Sequence, residues 1–168
     1  RIPYTEPASP QSIAAASPLS MTSLLIHATG FAALALNVTG LIRSSDRSLR
    51  NSTGWASALW AVNNLLIGAH SAAALSVLSV GRQASASVVQ GRHARTQLIT
   101  CCTFLVVTFL VGVLTWNGTA TLLTTTGSLL ATYAMFYMRG ALLRIAMLAV
   151  AALWMYNAWA YDSWWQMF

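Results

Sequence analysis

Lysine is absent from this chain, its acids number three (Glu6, Asp46 and Asp162), and no proline occurs after Pro18. Charged residues make up 7% of the 168 residues, against about a quarter in soluble domains. A lipid solvent is therefore expected for much of the chain. The net charge of +6 reflects the scarcity of acids, because all nine basic residues are arginines and they form no run. They are not interleaved with a solvated aromatic surface, so nucleic acid is not expected as a partner. The two cysteines, Cys101 and Cys102, are adjacent on an apolar stretch. On a helix their side chains diverge by roughly 100°, which prevents an ordinary disulfide between them and assigns both to the core. There is no C-x-x-C or H-x-x-x-H spacing, no G-x-S-x-G, no paired carboxylate and no Ser-His-Asp set. The expectation is a protein that is not an enzyme and holds no metal or cofactor. His27, His70 and His93 do not change this, since only His27 and His70 fall toward the same side.

What is present is apolar sequence cut into helix-sized pieces. A spanning helix needs about 20 apolar residues, with about 17 as the short limit. Six stretches qualify, at 21–42, 53–69, 71–90, 97–116, 119–138 and 142–161. Ahead of them, residues 1–20 hold all four prolines and suit an extended arm. The chain begins at Arg1 without a Met, which a cleaved targeting peptide would explain. The arginines test the count, because loops on the inner side of a membrane carry an excess of them. Arg43, Arg47, Arg50, Arg82, Arg92, Arg95, Arg139 and Arg144 all fall on one side, leaving Arg1 on the other. That pattern predicts an outer N-terminus.

The chain also repeats itself. "TGFAALALNVTGLIR" (Thr29–Arg43) matches "TGSLLATYAMFYMR" (Thr126–Arg139), and each copy crosses a short loop to a second arginine, Arg50 or Arg144. Each then enters a helix bearing A-L-W-x-x-N, Ala58–Asn63 in one copy and Ala152–Asn157 in the other. Both copies start on the outer side, so they are parallel repeats related by an axis near the membrane normal. The expected architecture is all-α and polytopic, with two three-helix-type repeats, the second incomplete. Its divisions are a proline-rich segment 1–20, a first repeat 21–94, a linker helix 95–118 and a second repeat 119–168.

The stretches "GFAALALNVTGLIRSSDRSLR", "LWAVNNLLIG", "LTWNGTATLLTTTGSLLAT" and "WMYNAW", with the Arg82 helix, resemble the YgjV family of bacterial inner-membrane proteins. More distantly they resemble the SWEET and PQ-loop transporters, which have three helices, a linker and three helices. The second likeness implies a central solute site with a stacking tryptophan on the second helix of each unit. This chain departs from that pattern. It lacks the Pro-Gln pair that gives such helices a bending point, its third helix offers Ser76 and Ser79 where Asn is common, and no seventh helix is visible.

Two roles are open to Trp60, Asn63, Trp154 and Asn157. They line a ligand site, or the tryptophans pack each unit while the asparagines tie helices together, at about 0.6 to 2 kcal/mol per bond. Arg43, Arg47, Arg50, Arg82, Arg139 and Arg144 either anchor the topology or contact anionic lipid. A guanidinium near the bilayer centre costs about 2.5 to 3.5 kcal/mol on insertion scales, so Arg50, Arg82 and Arg144 are expected to reach the inner surface or to pair.

The preferred function at this level is a non-catalytic accessory subunit of a larger membrane complex, such as a mitochondrial respiratory one, with other membrane-protein subunits and the bilayer as partners. The alternative is a SWEET-like carrier of a small solute. The mitochondrial inner membrane is preferred as location, with the bacterial inner membrane as alternative.

Overall fold

The computed structural model describes residues 21–43, 45–89 and 91–161. The arm at 1–20 and the terminal stretch 162–168 lie outside the described residues, so the expectations placed on them are not taken further. Six helices follow in order: α1 (Met21–Ile42), α2 (Asp46–Leu66), α3 (His70–Val89), α4 (Ala94–Leu114), α5 (Thr119–Tyr137) and α6 (Gly140–Ala160). There is no strand among the described residues, and the all-helical reading holds.

One boundary differs in a way that matters. The second apolar run begins at residue 53, yet α2 begins at Asp46. Ser45 sits at the N-cap, where its hydroxyl accepts from Ser48 N at 3.4 Å, and Asp46 occupies the first turn, where the helix dipole favours an acid. The polar stretch "DRSLRNSTG" is thus helical. A search for apolar spans passes over it because its residues are polar: Leu49, Arg50 and Thr53 are buried, while Arg47 and Asn51 are exposed.

Consecutive helices pack in pairs, α1 on α2, α2 on α3 and α5 on α6, while α4 lies against both α3 and α5, and α3 meets α5. The burial follows this arrangement. α1 and α4 bury three residues each, whereas α3 and α5 bury ten each. Leu98, Ile99, Val106, Phe109, Leu110, Val113 and Leu114 of α4 are all exposed. An apolar surface of this extent, on a helix whose backbone bonds are satisfied internally, belongs in hydrocarbon. α1, α3, α4 and α6 are long and apolar enough to cross a membrane; α2 and α5 fall short because of their polar residues. Those residues reach neighbouring helices, as in Asn64 Nδ2 to Ser76 Oγ at 3.4 Å and Thr121 Oγ1 to Ser71 Oγ at 3.3 Å.

Threonines on the outer faces need partners too, and their own backbone supplies them. Thr39 Oγ1 donates to Ala35 O at 2.7 Å, Thr103 Oγ1 to Ile99 O at 2.9 Å and Thr126 Oγ1 to Leu122 O at 2.8 Å. Small residues set the closest helix approach. A Cβ at Gly112 of α4 would lie 2.3 Å from Thr125 Oγ1 of α5, so any side chain there requires Thr125 to move. Cys101 joins the core with Leu49, Met135, Phe136 and Leu143. Cys102, expected beside it, faces outward, since adjacent helical positions cannot share one face.

Candidate functional site

Arg43, Arg47, Arg50, Arg92, Arg95, Arg139 and Arg144 gather at the end of the bundle where α1, α3 and α5 finish and α2, α4 and α6 begin. They do not behave alike. Arg43, Arg47 and Arg139 are exposed, and the first two border a surface hollow of about 400 Å³ beside Trp55. These three remain open to headgroups.

Arg50 is 2% exposed. Its Nη2 donates to Met135 O at 3.2 Å and to Met138 O at 3.4 Å, at the C-terminal end of α5. Arg144, its counterpart in the repeat, donates from Nη2 to Arg43 O at 2.9 Å, just past the end of α1. Its Nη1 reaches Asp46 Oδ1 at 3.2 Å and Gly140 O at 2.9 Å. Each arginine therefore crosses to the first helix of the other unit and caps its last carbonyls. Those carbonyls have no partner within their helix and carry the negative end of its dipole. The two contacts are reciprocal, α2 to the end of α5 and α6 to the end of α1. Asp46 also accepts from Gly140 N at 2.9 Å.

Arg82 is also inside. It is 3% exposed, and Nη1 donates to Ser128 O at 2.8 Å and Thr132 Oγ1 at 3.1 Å, with Nη2 donating to Ser79 Oγ at 2.9 Å. Of the two outcomes expected for Arg50 and Arg82, reaching the inner surface or pairing, the structure takes the second. Carbonyls and hydroxyls of neighbouring helices serve them better than a long path to the headgroups.

A cavity of about 240 Å³ has walls from α1, α2, α3, α5 and α6. Trp60 and Trp154, the equivalent tryptophans, both line it. Gly127 of α5 makes room for the second of them: a Cβ there would stand 3.0 Å from Trp154 Cδ1 and 3.1 Å from Nε1. Asn63 and Asn157 do not line the cavity. Both are fully buried, and Asn63 Nδ2 donates to Ile26 O at 2.8 Å and Thr29 Oγ1 at 3.1 Å, tying α2 to α1. The four residues therefore divide, with tryptophans at the cavity and Asn63 acting as a tie. Ser76 and Ser79 both face it as well.

Two residues of the wall were not singled out from the sequence. Gln83 is 3% exposed, and neither its Nε2 nor its Oε1 has a hydrogen-bond partner. Its Cβ sits where a Cβ on Gly54 of α2 would lie 3.5 Å away. Ser128 also lines the cavity with its Oγ unpartnered. A polar pair Arg82–Gln83 in the middle of a span was the available signal, and only the arginine was read.

No curated protein matches the chain, and neither does any solved structure. A family model described as a bacterial inner-membrane protein, Imp-YgjV, matches residues 24–167. With its apolar helices and lipid-suited exterior, this integral membrane protein belongs to the YgjV family of bacterial inner-membrane proteins.

Proposed function

We propose that the protein is a non-catalytic carrier that holds a small polar solute between its two helical units. The observation that carries this reading is a cavity lined by Trp60, Trp154 and Gln83, whose amide has no hydrogen-bond partner among the described residues. Buried polar atoms without partners are uncommon in native proteins and are commonly met by an ordered water or ion; beside a cavity, a polar solute can take that place. Aromatic faces with a few placed polar groups are the usual make-up of small-molecule sites. At about 240 Å³ the space suits a solute smaller than a drug-sized ligand. The arrangement agrees with the likeness to SWEET and PQ-loop carriers.

The family description favours the bacterial inner membrane over the mitochondrial one. The arginine-rich end then faces the cytoplasm and the N-terminus faces outward, following the inside excess of Arg. The accessory-subunit reading rests on proline-free helices and on the arm at 1–20. It gives the cavity no role, so the carrier is preferred.

The test is uptake by proteoliposomes containing the full chain, offered a panel of labelled amino acids, sugars and small carboxylates. At least one solute is expected to enter faster than into protein-free vesicles. Trp60→Ala and Trp154→Ala are each expected to slow it by about tenfold, the equivalent of ~1.4 kcal/mol. Trp116→Ala, at an exposed position outside the cavity, is expected to leave it unchanged. Uptake equal to that of empty vesicles for the whole panel overturns the proposal.

A further inference from the structure

We infer that the solute held in this cavity is a small organic monocarboxylate, its anionic end received by Arg82, Gln83 and Ser128 and its apolar body lying against the two tryptophans. This inference rests on the solute-carrier reading above and assigns its chemical class.

Charge is the first argument. Among the described residues, Arg82 is the one charged residue lining the cavity. Its bonded partners are a carbonyl and two hydroxyls, all neutral. Asp46 is the one acid among the described residues, and it is engaged with Arg144 and Gly140 N at the arginine-rich end. Among the described residues the positive charge beside the cavity thus has no carboxylate to balance it and is held by neutral dipoles alone, whereas a buried cation is best stabilised by an opposite charge with hydrogen bonds.

The second argument is the unused hydrogen-bonding capacity. Arg82 Nε, Gln83 Nε2 and Ser128 Oγ have no partner. All three are donors, and a carboxylate accepts without donating. A neutral sugar would bring hydroxyls that need acceptors as well as donors, and among the unpartnered atoms of these three residues only Gln83 Oε1 and the serine oxygen could serve.

The walls settle the rest of the ligand. Leu34, Val38, Met147 and Val150 line the cavity along with Trp60 and Trp154. Such a lining favours an apolar body over a fully hydrated ion such as phosphate. One cation suits a single negative charge, and the volume limits the body to a short chain or one ring.

The test uses the full chain in nanodiscs of zwitterionic lipid, with equilibrium binding of labelled butyrate, labelled butyramide and inorganic phosphate. Butyrate is expected to bind saturably, and butyramide, which keeps the shape and loses the charge, about tenfold or more weakly. Phosphate is expected not to displace butyrate. Gln83→Leu breaks no bond made within the chain, so it is expected to fold with an unchanged or higher thermal midpoint and to weaken butyrate about tenfold. Arg82→Gln is expected to abolish binding. Butyramide binding as well as butyrate overturns the anion assignment and leaves the solute-carrier reading standing. Displacement by phosphate at equal concentration overturns the organic monocarboxylate. Absence of binding by either probe overturns the inference, and the uptake panel above then decides the carrier reading separately.

Discussion

Arg47 and Arg50 contribute the same charge to the same end of the bundle, yet replacing them should have very different consequences. If arginines there act only by count, as topology anchors, Arg47→Met and Arg50→Met are equivalent. The structure makes them unequal. Arg47 is exposed, whereas Arg50 is 2% exposed and donates to Met135 O and Met138 O at 3.2 and 3.4 Å. Hydrogen bonds to a charged group contribute about 1.5 to 3 kcal/mol net. The longer of the two lies at the edge of useful geometry. A cation at a partly buried helix C-terminus adds up to about 2 kcal/mol. Against this, methionine removes the desolvation cost of a buried guanidinium, which amounts to several kcal/mol and offsets much of the sum. The net expectation for Arg50→Met is a loss of about 1 to 3 kcal/mol. Arg50→Lys should lose about half as much, since it keeps the charge but not the fork, and Arg47→Met should stay within about 0.5 kcal/mol of the parent. Reversible unfolding in mixed micelles, followed by far-ultraviolet circular dichroism, measures all three. Equal effects for Arg47→Met and Arg50→Met would refute the capping argument.

Other positions can be tested by the same assay. Gly112→Ala places a Cβ 2.3 Å from Thr125 Oγ1 and 2.6 Å from its Cγ2. Overpacking of this kind costs about 1 to 3 kcal/mol, less about 1 kcal/mol regained in helix propensity; adding Thr125→Ala should recover most of the loss, and strict additivity of the two changes would contradict the close approach. Asn63→Leu removes the bonds to Ile26 O and Thr29 Oγ1 and should cost about 0.6 to 2 kcal/mol. An unchanged unfolding midpoint would show that Asn63 does not tie α2 to α1. Asp46→Asn loses the ion pair with Arg144, whose side chains are 22% and 24% exposed, while an amide oxygen can still accept from Gly140 N. The expected loss is about 0.2 to 1 kcal/mol and should shrink in high salt; salt independence would argue against the pair.

The six helices and the gathering of arginines at one end were legible in the sequence. Helix length in hydrocarbon and the asymmetry of Arg are one-dimensional patterns, set by bilayer thickness and the cost of moving charge. The start of α2 was not, because a polar helical turn carries no hydropathy signal. Nor could the sequence sort one arginine from another. Arg47 and Arg50 differ by less than one helical turn, and only the packing of α2 against its neighbours sends one outward and the other to the end of α5. The same holds at the cavity. Trp60 and Asn63 lie one turn apart on α2, yet the rotation of that helix gives the tryptophan to the cavity and the asparagine to α1. Gln83 acquires its meaning only when α3 meets α2 and α5, because an amide is unsatisfied only relative to what surrounds it. Composition and period decided that this chain threads a membrane, and which of its polar groups are tied and which stand free was decided by the faces the helices turn toward one another.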